Sequence, residues 1–146
     1  MTELRVYLQR DSPRDGSNAA WALLDGAGRV ARTGTNLREA PRVRPCRLVI
    51  EADRVAVLDA DLPDVPARRL AALLGNALEP ALLEEVEQIH VVPLGRDARG
   101  QALGGVISAP WLEGVLARLA ELELHPESAL PEGLLLPRRE GHWSLL

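Results

Sequence analysis

Three kinds of side chain in this sequence are of types that do chemistry, and each sets a geometric condition. Glu51, Asp59 and Asp61 are carboxylates close enough in the chain to hold a pair of divalent ions, as a metal-dependent nuclease does. A strand through Asp59 and Asp61 puts both on one face, so the nuclease reading turns on whether Glu51 converges with them. His90, His125 and His142 have neither zinc-type spacing nor a cysteine pair beside them, and no metal ligand is assigned. His90 is expected to be a half-buried strand residue. Cys46 has no histidine partner in sequence and no Gly-x-Ser-x-Gly turn is present, so no catalytic nucleophile is assigned. Gly104-Gly105 lacks the third glycine and the downstream acid of a dinucleotide fingerprint and is expected to mark a strand bulge. A Walker-type loop is excluded because the chain contains no lysine. By elimination these residues describe a binding module, not an enzyme, and no cofactor is expected.

Composition narrows the partner. The 17 positive charges are all arginine and face 21 acids, a net charge of -4 that argues against a nucleic-acid binder. With aromatics at 3%, stacking on bases has little to work with. Residues 1–69 hold 12 Arg against 10 acids, whereas residues 70–146 hold 5 against 11, so the second half is the better surface for a basic partner. A chain of 146 residues, 47% hydrophobic, is long enough for one well-buried domain. One cysteine excludes an internal disulfide framework and fits a reducing compartment, with Cys46 expected as a small buried apolar residue. No apolar run approaches the roughly 20 residues of a bilayer span, and residues 1–20 lack a signal-peptide core, so the expectation is a soluble chain that starts in the cytosol.

The elements that must position these residues follow from periodicity. Leu4, Val6 and Leu8 alternate with Arg5, Tyr7 and Gln9 in a first strand over residues 3–9. Strands over 19–24 and 30–35, joined by the glycine turn at Asp25-Gly26, complete a three-strand antiparallel meander. The run Leu48, Val49, Ile50 suggests a strand buried on both faces at the sheet centre. Over residues 55–62, Ala56, Leu58, Ala60 and Leu62 share a face opposite Asp59 and Asp61. Residues 66–78 form the clearest helix: Asp64 is placed to cap it, Pro66 suits its first position, and Leu70, Leu73, Leu74, Ala77 and Leu78 make one apolar stripe. Pro80 ends it. Strands at 89–94 and 102–107 follow, then a second helix from Pro110 with Leu112, Val115, Leu116, Leu119 and Leu122 in register. Leu134 to Leu136 are expected to pack across the domain and 142–146 to begin another strand. The economical reading is one α+β unit with a mixed sheet.

Leu78-Glu79, Leu82, Glu85-Val86-Glu87 and His90, preceded by Leu62-Pro63 and Arg68-Arg69, resemble the N-terminal part of the cytoplasmic domain of type II secretion system protein L. The likeness continues through Trp111, Leu112, Leu116, Leu119, Pro126, Leu134 to Pro137, Gly141 and Trp143, and is weakest over residues 10–18. It implies a fold like the ribonuclease-H-like half of actin-type ATPases, with an inserted strand–helix–strand subdomain at about 52–94. It also implies an adaptor on the cytoplasmic face of the bacterial inner membrane. Such an adaptor docks the N-terminal region of the secretion ATPase, meets other platform subunits through parts of the longer protein, and carries its membrane helix downstream of Leu146. Self-association stays open. The docking residues expected here are Arg68, Arg69, Glu79, Glu84, Glu85 and Glu87, an outward edge of mixed charge, although the acids that the family commonly has at positions matching Pro80 and Ala81 are absent. Two other readings remain. The platform protein of type IV pilus assembly shares the fold but binds nucleotide, for which a strand–turn–strand with an aspartate and tight glycines is needed; the first strand here has no aspartate. A ribonuclease-H-like nuclease needs an aspartate in the same place.

Overall fold

The alternation of Leu4, Val6 and Leu8 becomes β1 (Glu3–Leu8) in the computed structural model, which describes residues 1–12, 17–136 and 141; all three side chains are fully buried. β2 (Asn18–Leu24) pairs antiparallel with β1, and β3 (Val30–Asn36) antiparallel with β2, which is the expected meander. β4 (Cys46–Ile50) lies parallel to β1 on its other side, and the short β8 (Ser128–Pro131) lies parallel to β4. The result is a mixed five-stranded sheet in the order β3-β2-β1-β4-β8. β1, not β4, is therefore the middle strand. The run at 48–50 is not buried on both faces either: Cys46, Leu48 and Ile50 are buried, while Val49, pointing the other way, is half-buried. Only one face of this sheet is covered, so alternation persists inside an unbroken apolar run.

The chain divides into two units, Met1–Arg54 with Gly114–Leu146, and Val55–Glu113. In the second unit, β5 (Ala56–Ala60), β6 (Ile89–Arg96) and β7 (Ala102–Ser108) form an antiparallel sheet in the order β5-β7-β6, and α1 (Ala67–Leu78) packs on it. This unit takes in β7 and the first residues of α2 (Ala109–Glu121), beyond the segment 52–94 expected as an insertion. Leu74, Leu78, Ala102 and Val106 make its core, with Leu58, Ala60, Leu62, Leu70, Ile89 and Val91 against them. The expected stripe of α1 is narrower than its periodicity suggested. Leu74 and Leu78 are buried and Leu70 is half-buried, but Leu73 is 36% exposed and Ala77 is exposed, because one helix on a three-stranded sheet hides only a thin strip of its circumference. Asp64 does not cap the helix: Pro66 occupies the N-cap position and no side chain bonds the first amides.

Gly104 and Gly105 are packing devices within β7, not a bulge. A Cβ on Gly104 would lie 3.0 Å from Cδ1 of Leu78, and one on Gly105 would lie 3.2 Å from Cδ1 of Leu94. The irregularity of this hairpin sits instead between Pro93 and Arg96 on β6. There the Arg96 guanidinium donates to the carbonyls of Leu62, Pro63 and Gly100 at 2.7–2.8 Å, tying the entry of α1 to the hairpin turn.

Along α2, Val115, Leu119 and Leu122 are buried as expected, whereas Leu116 is 39% exposed and Leu112 half-buried. Leu134 and Leu135 do not pack across the domain; both are about half exposed, in a short 3-10 turn at Glu132–Leu135. The strand expected at 142–146 lies outside the described residues. Cys46 is buried as expected, and burial pushes its thiol up to about 11. The 3-10 turn is anchored by Glu132, whose Oε1 accepts the Tyr7 hydroxyl at 2.8 Å and whose Oε2 accepts the amide of Ala52 at 3.2 Å. Burial, then the hydrogen bond and the negative charge of Glu132, push the Tyr7 hydroxyl from its ordinary 10.0 to about 12.

Two outcomes follow from this packing. Leu74→Ala and Leu119→Ala, both at 0% exposure, should each cost about 2–5 kcal/mol in denaturant unfolding, while Leu116→Ala should cost well under half of that. Equal losses at all three positions would contradict the assigned helix faces. Tyr7, the only tyrosine, can be titrated by its tyrosinate absorbance. Since the fold holds this proton more tightly than the unfolded chain does, its stabilising contribution is complete below pH 10.0 and is lost as pH rises through about 12. The titration midpoint should lie near 12, and Glu132→Gln should lower it; an unchanged midpoint in the variant would remove Glu132 from the account.

Candidate protein-docking surface

The outward face of α1 gathers residues that a helix built for stability would not choose. Arg68 and Arg69 stand in its first turn and Glu79 at its C-cap, all three exposed and each of the sign that the helix dipole disfavours at its end. No acid lies in the first turn and no base in the last. Between these ends run Ala72, Leu73, Asn76 and Ala77, all exposed, a low surface with one large apolar side chain. Past a 3-10 turn at Glu79–Ala81 the chain projects Leu83, fully exposed, beside Glu84 and Glu85, with Glu87 exposed just before β6. None of these four glutamates, Glu79 included, enters an ion pair among the described residues. All six expected docking residues are thus exposed on α1 and the segment that follows it. Two leucines stand exposed beside them: Leu73, which its periodicity assigns to the buried stripe, and Leu83, which no sequence pattern marks as protruding.

The residues singled out for other chemistry are dispersed. Glu51 belongs to the first unit, where its carboxylate accepts the backbone amide of Arg10 at 2.6 Å, whereas Asp59 and Asp61 are exposed in the second unit. Among the described residues no group of three His, Cys, Asp or Glu side chains is placed to hold a metal ion. His90 is exposed on β6 rather than half-buried, His125 is exposed, and His142 lies outside the described residues.

The start of the turn after β1, where an actin-type fold holds phosphate, is stitched to protein groups. Arg10 N–H donates to Glu51, Ser12 N–H to the Gln9 carbonyl at 2.9 Å, and Gln9 N–H to Ser12 Oγ at 2.7 Å. The Arg54 guanidinium closes the same turn, donating to the Arg10 carbonyl at 2.8 Å. A shallow concavity of about 420 Å³ opens on the half-covered face of the five-stranded sheet, over Arg5, Tyr7, Ala20, Ala22, Thr33 and Val49. Its walls are mostly apolar, Arg5 is paired with Glu3 at 2.7 Å, and Tyr7 is engaged by Glu132, so it offers little polar chemistry to a small ligand.

Comparison with known proteins places this arrangement. The profile of the family described as type II secretion system (T2SS), protein L, matches residues 17–146. Type II secretion system protein L of Pectobacterium carotovorum subsp. carotovorum is 25% identical over 130 residues, covering 89% of this chain and 30% of that protein. Its counterpart in Pseudomonas aeruginosa is 32% identical over 138 residues, covering 90% of this chain and 36% of that protein. The chain spans about a third of the length of these curated relatives. Among solved structures, the cytoplasmic domain of EpsL, an inner-membrane component of the type II secretion system of Vibrio cholerae, matches with a TM-score of 0.75 at 21% identity, over 96% of this chain and 61% of that one. The PilM–PilN type IV pilus biogenesis complex matches with a TM-score of 0.59 at 13% identity, over 86% and 46%. Both likenesses are of fold, and the α+β fold with a mixed sheet is the one expected from the actin-type resemblance. The match to the family profile extends from the meander through α1 to the end of the chain, so this chain belongs to the type II secretion system protein L family.

Proposed function

We propose that this chain is the cytoplasmic adaptor part of a type II secretion inner-membrane platform, docking the secretion ATPase through the outward face of α1 and the acidic segment after it. The observation that carries the reading is the pairing of charges unfavourable to the helix dipole with exposed Leu73 and Leu83 on one continuous stretch of chain. Such a surface sets register and association rate through its charges, and the leucines supply apolar contact. Among the described residues no helix is long and apolar enough to cross a membrane. The pilus platform reading rests on fold likeness alone.

The adaptor reading also assigns no nucleotide chemistry to this chain, because β1 carries no aspartate and the first amides of the turn after it are held by Glu51 and Gln9. Calorimetry should detect no binding of ATP or ADP with magnesium, and micromolar affinity for either would overturn an adaptor-only role.

Replacing Glu84, Glu85 and Glu87 together by Lys should leave the fold intact, since all three are exposed. It should weaken binding of the N-terminal region of the secretion ATPase from the same genome by at least about tenfold, about 1.4 kcal/mol, with a shallower salt dependence. Unchanged affinity at low and moderate salt would move the interface elsewhere.

A further inference from the structure

The second unit has another surface that the docking reading leaves unused. Because α1 covers the side of the sheet carrying Leu58, Ala60, Val91 and Val106, the alternate residues of β5, β6 and β7 point away from it. Val57, Gly105 and Val92 lie in one row across the three strands, and Asp59 lies opposite Leu103 in the next. Val57 is 44% exposed and Val92 40% exposed, with Leu94 and Leu103 half-buried between them. Leu94 folds over Gly105, where a Cβ would meet it at 3.2 Å, so the row is a low apolar strip and not a pocket. Strands spaced about 4.8 Å apart put Val57 and Val92 about 10 Å from one another, the width of one α-helix with its side chains.

Charge identifies the occupant. Asp59 and Asp61, exposed at the β5 side of the strip, enter no ion pair among the described residues. The sheet's own nearby arginine, Arg96, is turned onto three carbonyls. The unit as a whole holds nine acids against four arginines, a formal net charge of -5. That field repels a second copy of the same unit, a nucleic acid or an anionic lipid surface, and attracts a cationic partner. Ile107, on the same side at the other end of β7, is buried, so the accessible part of this face is the strip around Val57, Val92 and Leu103. We propose that this exposed strip of the three-stranded sheet docks a basic amphipathic helix of another protein, its apolar side on Val57, Val92 and Leu103 and its cationic flank on Asp59 and Asp61. This site lies on the opposite side of the sheet from α1 and does not depend on where the ATPase binds.

The test uses the whole chain and two synthetic helical peptides, one with leucine on one face and lysine on the other, the second with glutamate in place of lysine. The leucine–lysine peptide should bind, and its chemical-shift footprint on the unmodified protein should centre on Val57, Val92 and Leu103; the leucine–glutamate peptide should not bind. Val57→Thr with Val92→Thr keeps the branched strand side chains but removes apolar surface, and should weaken binding at least about tenfold. Asp59→Asn with Asp61→Asn should weaken it to a similar extent and flatten its salt dependence. Glu84→Gln, Glu85→Gln and Glu87→Gln together, on the other surface, should leave it within about twofold. The proposal is overturned by a footprint on α1, by full affinity in the valine double variant, or by equal loss in the glutamate triple variant, which would mean general attraction to acid. It is equally overturned by tight binding of the leucine–glutamate peptide, or by self-association through Val57 and Val92 in sedimentation, which would make the occupant a second copy.

Discussion

The first unit depends on the burial of one strand. β1 contributes Leu4, Val6 and Leu8 at 0% exposure and is the middle member of the five-stranded sheet. Its two neighbours impose different demands. An antiparallel partner can follow after a short turn, and β2 and β3 do so. A parallel partner needs a crossover, and the sheet has two such pairs, β1 with β4 and β4 with β8. The second crossover is long enough to contain the whole three-stranded unit and α2. A one-residue slip of β1 would turn three leucine-class side chains to the half-covered face and Arg5 and Tyr7 into the core, so the register of everything paired to it is strongly specified.

The second unit is built with less material. The core between its one helix and three strands has four buried residues, Leu74, Leu78, Ala102 and Val106, and close approach is made feasible by Gly104, where any side chain would push against Leu78. Such a unit leaves much apolar and charged surface outside: Leu73 and Leu83 on the helix side, Val57 and Val92 on the open side. Both strips carry acids that enter no ion pair among the described residues, Glu84, Glu85 and Glu87 on the helix side and Asp59 and Asp61 on the other.

The first residues of the turn after β1 are tied to the chain that follows β4. Phosphate binding at a strand–turn requires free amides and a backbone that can approach the anion closely. Here Arg10 offers its amide to Glu51, and Asp53, 3.7 Å from the Arg10 guanidinium, and Arg54 add further ties between the turn and the end of β4.

Local pattern alone determined the meander, the faces of β1 and β5, and the two helices, because side-chain alternation and the helical repeat are properties of the chain itself; it did not reveal β8, a four-residue strand ending in proline that exists only by pairing with β4. The order and spacing of the residues around Arg68-Arg69, Leu78-Glu79 and His90 also carried the family. Tertiary structure alone decided how much of each apolar stripe is covered. Leu73 and Leu74 are equally good members of the α1 stripe, as Leu116 and Leu119 are of α2, yet only Leu74 and Leu119 are buried. Periodicity names a direction around a helix, but the width that is hidden depends on the partner surface. The same holds for Val49, apolar in a run of three but half-exposed since one sheet face is open, and for Gly104, whose role exists only because α1 lies across it.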